Sequence, residues 1–167
     1  SFSYSRKKEV LDRINLEVRS GHICGLLGKN GEGKTTLLNL LSGQIFPDQG
    51  SCLVLEETPS ERNARFLQQI FLLPEEISMP EVTAIEYIKM YAPFYPTFRD
   101  DICKACVESF EINLSDRLSK MSQGQRKKVA ITLALAAHTP LLLMDEPTNG
   151  LDIPSKATFR RLVASLI

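Results

Sequence analysis

Eight consecutive residues combine glycines, a lysine and a hydroxyl side chain in a spacing that suits phosphate binding. They follow the pattern G-x-x-x-x-G-K-[ST] and read Gly28-Lys29-Asn30-Gly31-Glu32-Gly33-Lys34-Thr35, with Thr36 next in the chain. Glycines let backbone N–H groups curl around an anion, and a helix that starts at the lysine adds partial positive charge there. Lys34 would reach the β- and γ-phosphates of a nucleotide, and Thr35 would offer its hydroxyl to Mg²⁺. Residues 28–36 are therefore predicted to bind nucleotide phosphates.

Two adjacent carboxylates follow four apolar residues in the second half of the chain. The run Leu141–Met144 leads directly into Asp145 and Glu146. Ligands of open α/β sheets bind at the carboxyl ends of buried strands, so this position suits a centre for metal and phosphate. Asp145 would hold Mg²⁺ directly or through water, and Glu146 would polarise an attacking water as a general base. Together with the glycine loop, the pair predicts nucleotide hydrolysis.

The glycine loop needs a strand before it and a helix after it, and the local pattern predicts both. Residues 22–27 are almost entirely apolar, which is typical of a central strand buried on both faces. Residues 34–42 carry leucines at helical spacing and end at Gly43, a residue type that commonly terminates helices. Further strands are predicted at 10–18, 51–55, 69–73 and 141–144. This order of elements indicates an α/β fold.

Helices are predicted for much of the second half of the chain. Two of them, near 82–92 and 98–110, are separated by Pro93 and Pro96, which cannot lie inside one continuous helix. An Ala- and Leu-rich helix follows at 123–137, and a last helix begins at Pro154. The first two helices form a helical insertion in the α/β pattern.

Composition limits the remaining functions. The 167 residues suffice for one domain, and 20 basic residues balance 20 acidic ones, so bulk binding to nucleic acid or anionic membranes is not expected. No apolar run reaches the eighteen residues that a membrane span requires, and the N-terminus lacks a signal-peptide pattern. The predicted location is cytoplasmic.

Cys103 and Cys106 form a C-x-x-C, which we interpret as two thiols one helical turn apart rather than a zinc or redox site, because no second pair accompanies them.

These motifs and several others resemble the ATP-binding subunits of ABC transporters, over essentially the whole chain. Met121-Ser122-Gln123-Gly124-Gln125 is similar to the signature Leu-Ser-Gly-Gly-Gln, which separates this family from other P-loop proteins. Asn149-Gly150-Leu151-Asp152 resembles the D-loop, and Tyr4 matches the aromatic residue that stacks on adenine. The resemblance adds the signature residues Ser122, Gln123, Gly124 and Gln125 to the predicted nucleotide site.

The resemblance implies a fold and an assembly. It implies one nucleotide-binding domain over 1–167, with a P-loop NTPase core, a small N-terminal antiparallel β element and a helical subdomain at 76–128. Two such subunits, identical or different, would sandwich ATP and Mg²⁺ head to tail, the glycine loop of one facing the signature of the other. Separate transmembrane permease subunits would hold the pair at the cytoplasmic face of a membrane. No nucleic-acid partner is expected.

The chain departs from the family pattern at three places. Met121 and Gln123 replace the usual Leu and first Gly of the signature, whereas Ser122 and Gly124 are kept. Glu75 takes the position of the family's Q-loop glutamine, where a carboxylate could still coordinate Mg²⁺. The family's switch histidine would lie beyond Ile167, so the resemblance implies a domain that is incomplete at its C-terminus.

Some features leave alternatives open. The aromatic residues between Tyr87 and Phe98 fit either a surface that receives membrane subunits or packing within the helical insertion. The basic run Arg126-Lys127-Lys128 is interpreted as a solvated helix start rather than a nucleic-acid contact. A soluble ABC-type ATPase without a transport role and a nucleotide sensor without hydrolysis are the rival functions. A small P-loop kinase is a weaker rival because it would lack the signature.

Overall fold

The computed structural model describes residues 1–5 and 8–166, with only the backbone described for residues 4, 5, 8 and 9. It divides into two compact units, Ser1–Ile70 and Phe71–Ile167.

The described residues of the first unit form a strand pair and two α-helices. Strands β1 (Phe2–Ser5) and β2 (Lys8–Leu11) pair antiparallel, as expected for a small N-terminal β element. Helix α1 (Lys34–Leu41) begins at the lysine of the glycine loop, and α2 (Ala64–Gln69) is capped by the side chain of Asn63. Phe2, Leu11 and Leu40 form a small core, so the strand pair packs against the helix that follows the glycine loop.

The apolar segment 22–27 is not the buried central strand that its sequence predicts. It lies outside every strand of the described chain, and the side chains of Ile23 and Leu27 are 66% and 97% exposed. The predicted strand at 10–18 is reduced to the last two residues of β2, and 51–55 contributes only an isolated bridge at Val54. An apolar run becomes a buried strand only where other strands pair with its edges, because β-propensity mainly reflects those neighbours. The local pattern does not encode that pairing.

Downstream of residue 69, the described chain forms a strand pair and four α-helices. Strand β3 (Ile70–Leu73) starts at the boundary between the units and pairs with β4 (Leu141–Met144). The helices are α3 (Ala84–Tyr91), α4 (Asp100–Ser109), α5 (Gln123–Ala136) and α6 (Ile153–Ala164). These bounds confirm the helices and strands predicted downstream of residue 69 to within a few residues at each end.

Helix α5 lies at the centre of the second unit. Its C-terminal half is buried on all sides, as expected for an Ala- and Leu-rich helix in a protein core. Helix α4 packs against α5. The segment before α4 is bonded to the C-terminus of α5, because the N–H of Arg99 donates to the carbonyl of Ala136 at 2.8 Å. The N-terminus of α5 has a capping box formed by Ser122 and Gln125. Packing and capping together hold the start of α5 in place.

The aromatic residues of the helical insertion mostly pack into this core. Tyr87 is buried, and Tyr91, Tyr95 and Phe98 pack against the same cluster. Burial raises the pKa of Tyr87 to about 12, as an apolar setting disfavours the phenolate. Phe94 is the exception, with 63% of its side chain exposed. Core packing therefore accounts for four of the five predicted cluster members.

The two cysteines of the C-x-x-C lie on one helix. Cys103 and Cys106 are one turn apart on α4, and burial raises the pKa of the Cys106 thiol to about 12, which keeps it protonated.

Among the described residues, no helix has the length and apolar character needed to cross a membrane.

Candidate functional site

The glycine loop has the backbone conformation that its glycines permit. Gly31 and Gly33 adopt φ values of 86° and 93°, in the left-handed region that other residues rarely occupy. A Cβ atom on Gly33 would lie 2.7 Å from the Cδ2 of Leu11, and the φ of 93° would strain any residue with a side chain at this position. Gly33 is also the N-cap of α1. The loop therefore ends at a helix N-terminus, where the first N–H groups have no intrahelical acceptor.

Lys34 folds back over the loop that precedes it. Its Nζ donates to the carbonyl of Gly28 at 2.8 Å and to that of Lys29 at 3.1 Å. Within the same loop, the Glu32 carboxylate accepts a hydrogen bond from the N–H of Lys29 at 2.8 Å. Residues 28–32 are exposed, so a phosphate could reach the Lys34 ammonium from solvent.

The other predicted residues of this loop differ in exposure. Asn30 and Thr35 are exposed, whereas Thr36 is buried. The side chain of Tyr4, predicted to stack on adenine, lies outside the described residues. The nucleotide roles of all these residues stay predictions.

Asp145, the predicted Mg²⁺ ligand, and Glu146, the predicted general base, follow β4 as expected. Asp145 is 7% exposed, and its N–H extends the β3–β4 pairing by donating to the carbonyl of Leu73 at 2.9 Å. Glu146 has a φ of 44°, an uncommon conformation for a residue with a side chain. The N–H of Asn149 donates to the Glu146 carbonyl at 3.1 Å, which closes a turn directly after the carboxylates. Such left-handed residues often occur at functional sites.

Glu75 lies beside the loop that follows Glu146. Its Oε1 accepts a hydrogen bond from the side-chain amide of Asn149 at 2.8 Å. The structure thus brings together the residue at the Q-loop position and the first residue of the D-loop. The sequence does not indicate this hydrogen bond, because Asn149 and Glu75 are 74 positions apart.

Lys127 does not belong to a solvated helix start, which corrects the prediction for the basic run. Its side chain is 3% exposed, and its Nζ donates to the carbonyls of Glu75 at 2.9 Å and Pro74 at 3.3 Å. Burial lowers the pKa of the Lys127 ammonium, and the nearby carboxylates of Glu75, Asp145 and Glu146 oppose that change. Helical spacing offered a signal, since Lys127 lies three and four positions before the buried Ala130 and Ile131.

The signature residues line a cavity of about 340 Å³ together with the D-loop. Its walls come from Ser122, Gln123, Gly124, Gln125, Lys128, Gly150, Leu151 and Asp152. The Oγ of Ser122 accepts from the N–H of Gln125 at 3.2 Å, and the Oε1 of Gln125 accepts from the N–H of Ser122 at 2.8 Å. The hydroxyl hydrogen of Ser122 can still be donated to a ligand. Nucleotide contact by these residues stays a prediction.

Asp152 closes the D-loop by capping the next helix. Its carboxylate accepts from the N–H of Ser155 at 2.7 Å, and hydrogen bonds from Ser155 lower the pKa of Asp152. The D-loop is thus anchored at α6.

Gly124 allows the start of α5 to touch the D-loop, and we predict that Gly124→Ala destabilises the protein. A Cβ there would lie 2.8 Å from the carbonyl oxygen of Gly150. Overpacking of this kind lowers the free energy of unfolding by about 1–3 kcal/mol. The higher helix propensity of alanine raises it by only ~1 kcal/mol, so a net loss is expected. Thermal and urea unfolding should show the loss. Gly25→Ala is the control because a Cβ there meets nothing within 4 Å, and equal stability of the two variants would contradict the prediction.

The side chains predicted to hold a metal supply oxygen ligands only. Thr35 offers a hydroxyl, and Asp145 and Glu75 offer carboxylates, a donor set that suits Mg²⁺ rather than a soft metal. Among the described residues, no group of three His, Cys, Asp or Glu side chains is arranged to hold a metal ion. Mg²⁺ with a few protein ligands, water and phosphate oxygens is compatible with that arrangement.

Comparisons with known proteins identify the relatives of this chain. A family model described as ABC transporter matches residues 11–149. The SkfA peptide export ATP-binding protein SkfE of Bacillus subtilis is 31% identical over 157 residues, covering 90% of this chain and 65% of the relative. The ABC transporter ATP-binding protein NatA of Bacillus subtilis is 32% identical over 174 residues, covering 98% and 70%. The chain spans about half to two-thirds of the length of most curated relatives it matches.

A solved structure supports the fold. The ATP-binding cassette MJ0796, in a dimeric post-hydrolysis state bound to ADP and Pi, is 23% identical with a TM-score of 0.81, covering 94% of this chain and 74% of its own. This likeness confirms the predicted α/β fold class with a P-loop core.

Proposed function

Because this chain belongs to the ABC transporter family, we propose that it is an ATP-binding and ATP-hydrolysing subunit that powers such a transporter. The observation that carries the proposal is the glycine loop, which has two left-handed glycines and ends at the N-terminus of α1 with Lys34 folded over it. A loop of this kind offers N–H groups and an ammonium to phosphate oxygens.

The proposal assigns a role to each predicted residue. Residues 28–36 bind the phosphates, Tyr4 stacks on adenine, and Glu146 takes a proton from the attacking water. Mg²⁺, when bound, neutralises charge on the phosphates, and the residues that would hold it in the second unit are Asp145 and Glu75. The hydroxyl of Thr35 stays the ligand predicted from the glycine-loop motif.

The proposed assembly is a pair of these subunits with permease subunits. Residues 122–125 would contact the ATP that the glycine loop of the second subunit holds, with 76–128 as the helical subdomain that presents them. The dimeric state of MJ0796 and the ATP-binding names of SkfE and NatA support this proposal. The subunits would lie at the cytoplasmic face of a membrane, held there by permeases.

The experiment that tests this function uses the natural full-length protein. We expect it to bind Mg·ATP, to release phosphate and to purify from membranes together with a multi-span protein. Binding without phosphate release from the dimer would favour a nucleotide sensor. Turnover without any membrane partner would favour a soluble ATPase. Absence of ATP binding would refute the proposal.

A further inference from the structure

The second unit buries a lysine on which three carboxylates act electrostatically. Among the residues whose side chains the structure describes, the buried charged ones are Lys127 and Asp145. An ammonium group is costly to remove from water unless it is paired and hydrogen-bonded. Lys127 meets that condition through the carbonyls of Pro74 and Glu75 and through the charges of the nearby carboxylates. Such a placement needs an explanation beyond packing.

Lys127 shares one side of α5 with the glycine that touches the D-loop. Gly124 and Lys127 are three residues apart, so they lie on the same side of the helix. Gly124 approaches the carbonyl of Gly150, and Lys127 reaches the backbone at Pro74 and Glu75. The first turns of α5 therefore contact the loop that carries Glu75 and the loop that follows Glu146.

Three residues donate hydrogen bonds to the segment 73–75. The carbonyl of Leu73 accepts from the N–H of Asp145, and the Glu75 carboxylate accepts from Asn149. Lys127 supplies the third attachment through the carbonyls of Pro74 and Glu75. We call Lys127, Glu75 and Asn149 the clamp. A hydrogen bond from a charged donor is stronger than one from a neutral donor, so Lys127 is expected to be its strongest member.

We propose that Lys127 is a positioning residue, whose ammonium fixes the backbone at Pro74 and Glu75 against the segment 145–149 and thereby holds Glu75 and Glu146 in place. The ammonium contributes both donors and positive charge among carboxylates that would otherwise repel one another. Lys127 itself need not touch nucleotide. Its effect on hydrolysis rests on the function proposed above, whereas its effect on the position of these loops does not.

Amide hydrogen exchange of the natural full-length protein tests the positional part directly. In Lys127→Met, which keeps the apolar stem, the amides of Asp145 and Asn149, whose N–H groups donate to the carbonyls of Leu73 and Glu146, should exchange roughly 10- to 100-fold faster, because charged hydrogen bonds are lost. Lys127→Arg keeps charge and donors and should restore most of the protection. Lys104→Met, at an exposed position of α4, is the matched control. Unchanged exchange in Lys127→Met would overturn the proposal.

A second variant keeps the test decisive if Lys127→Met does not fold. Asn149→Ala removes the amide that binds the Glu75 carboxylate, at an exposed position. If the clamp acts as one unit, this variant should accelerate exchange of the Asp145 amide, which donates to the carbonyl of Leu73, as well. Protection there that matches the unaltered protein would contradict the clamp.

Kinetics separate this inference from the proposed function. Lys127→Met should lower kcat for ATP on the order of tenfold while the KM for ATP stays nearly unchanged, since the glycine loop is intact. A general loss of stability would instead reduce the amount of active protein, which a melting curve reveals. If the unaltered protein has no turnover, the proposed function fails, and hydrogen exchange alone decides the role of Lys127.

Discussion

Glu146→Gln is expected to lower ATP turnover of the full-length protein by roughly 10²- to 10⁴-fold, because it removes the proposed general base. The amide keeps the shape of the side chain and can still form hydrogen bonds, so ATP should remain bound. Without hydrolysis, the dimer that ATP holds together should accumulate. Phosphate release and size measurement with ATP and Mg²⁺ check both outcomes.

The control for this variant is Glu108→Gln, which removes a carboxylate from an exposed position of α4. It should leave turnover and size unchanged. A monomeric Glu146→Gln protein with full turnover would mean that another group acts as the base. Loss of ATP binding in the same variant would mean that Glu146 contributes to binding rather than to chemistry.

Lys34→Ala is expected to lower turnover by about 10²- to 10³-fold, the effect of losing a preorganised electrostatic donor. Lys34 already points over the loop, since its ammonium binds the carbonyls of Gly28 and Lys29. The variant loses this link as well as the charge, so affinity for ATP should fall too. Titration calorimetry with Mg·ATP and a phosphate-release assay measure the two effects.

Lys89→Ala is the matched control, because it removes an ammonium from an exposed position of α3. It should bind and hydrolyse ATP like the unaltered protein. If Lys34→Ala also retains both affinity and turnover, residues 28–36 are not the phosphate site and the proposed function loses its main support.

The elements that the sequence predicts well are those in which local pattern suffices. The helices α3, α4 and α5 show helical spacing, and proline or capping residues mark their ends. The glycine loop is equally local, because its conformation depends on glycines and on a helix that begins at Lys34. These features follow from residues that are neighbours in the chain.

The segment 22–27 shows where local pattern is not sufficient. Its apolar residues favour a buried strand, but burial depends on pairing with distant strands, and the structure leaves the segment largely exposed. The short strands β3 and β4 were predicted correctly, whereas their pairing with each other joins residues about 70 positions apart. Strand pairing of this range is a property of the whole fold.

The sequence by itself predicted the chemistry of the candidate site, from a glycine loop that suits phosphate and two carboxylates after an apolar strand, and its motifs indicated the family. These motifs are short, and each works through residues adjacent in the chain. Only the tertiary structure decided that Lys127 is buried, that Asn149 binds Glu75, and that Gly124 touches Gly150. Electrostatic and packing interactions between these residues depend on their distance in space, which the fold sets. Their separation along the sequence does not reveal that distance.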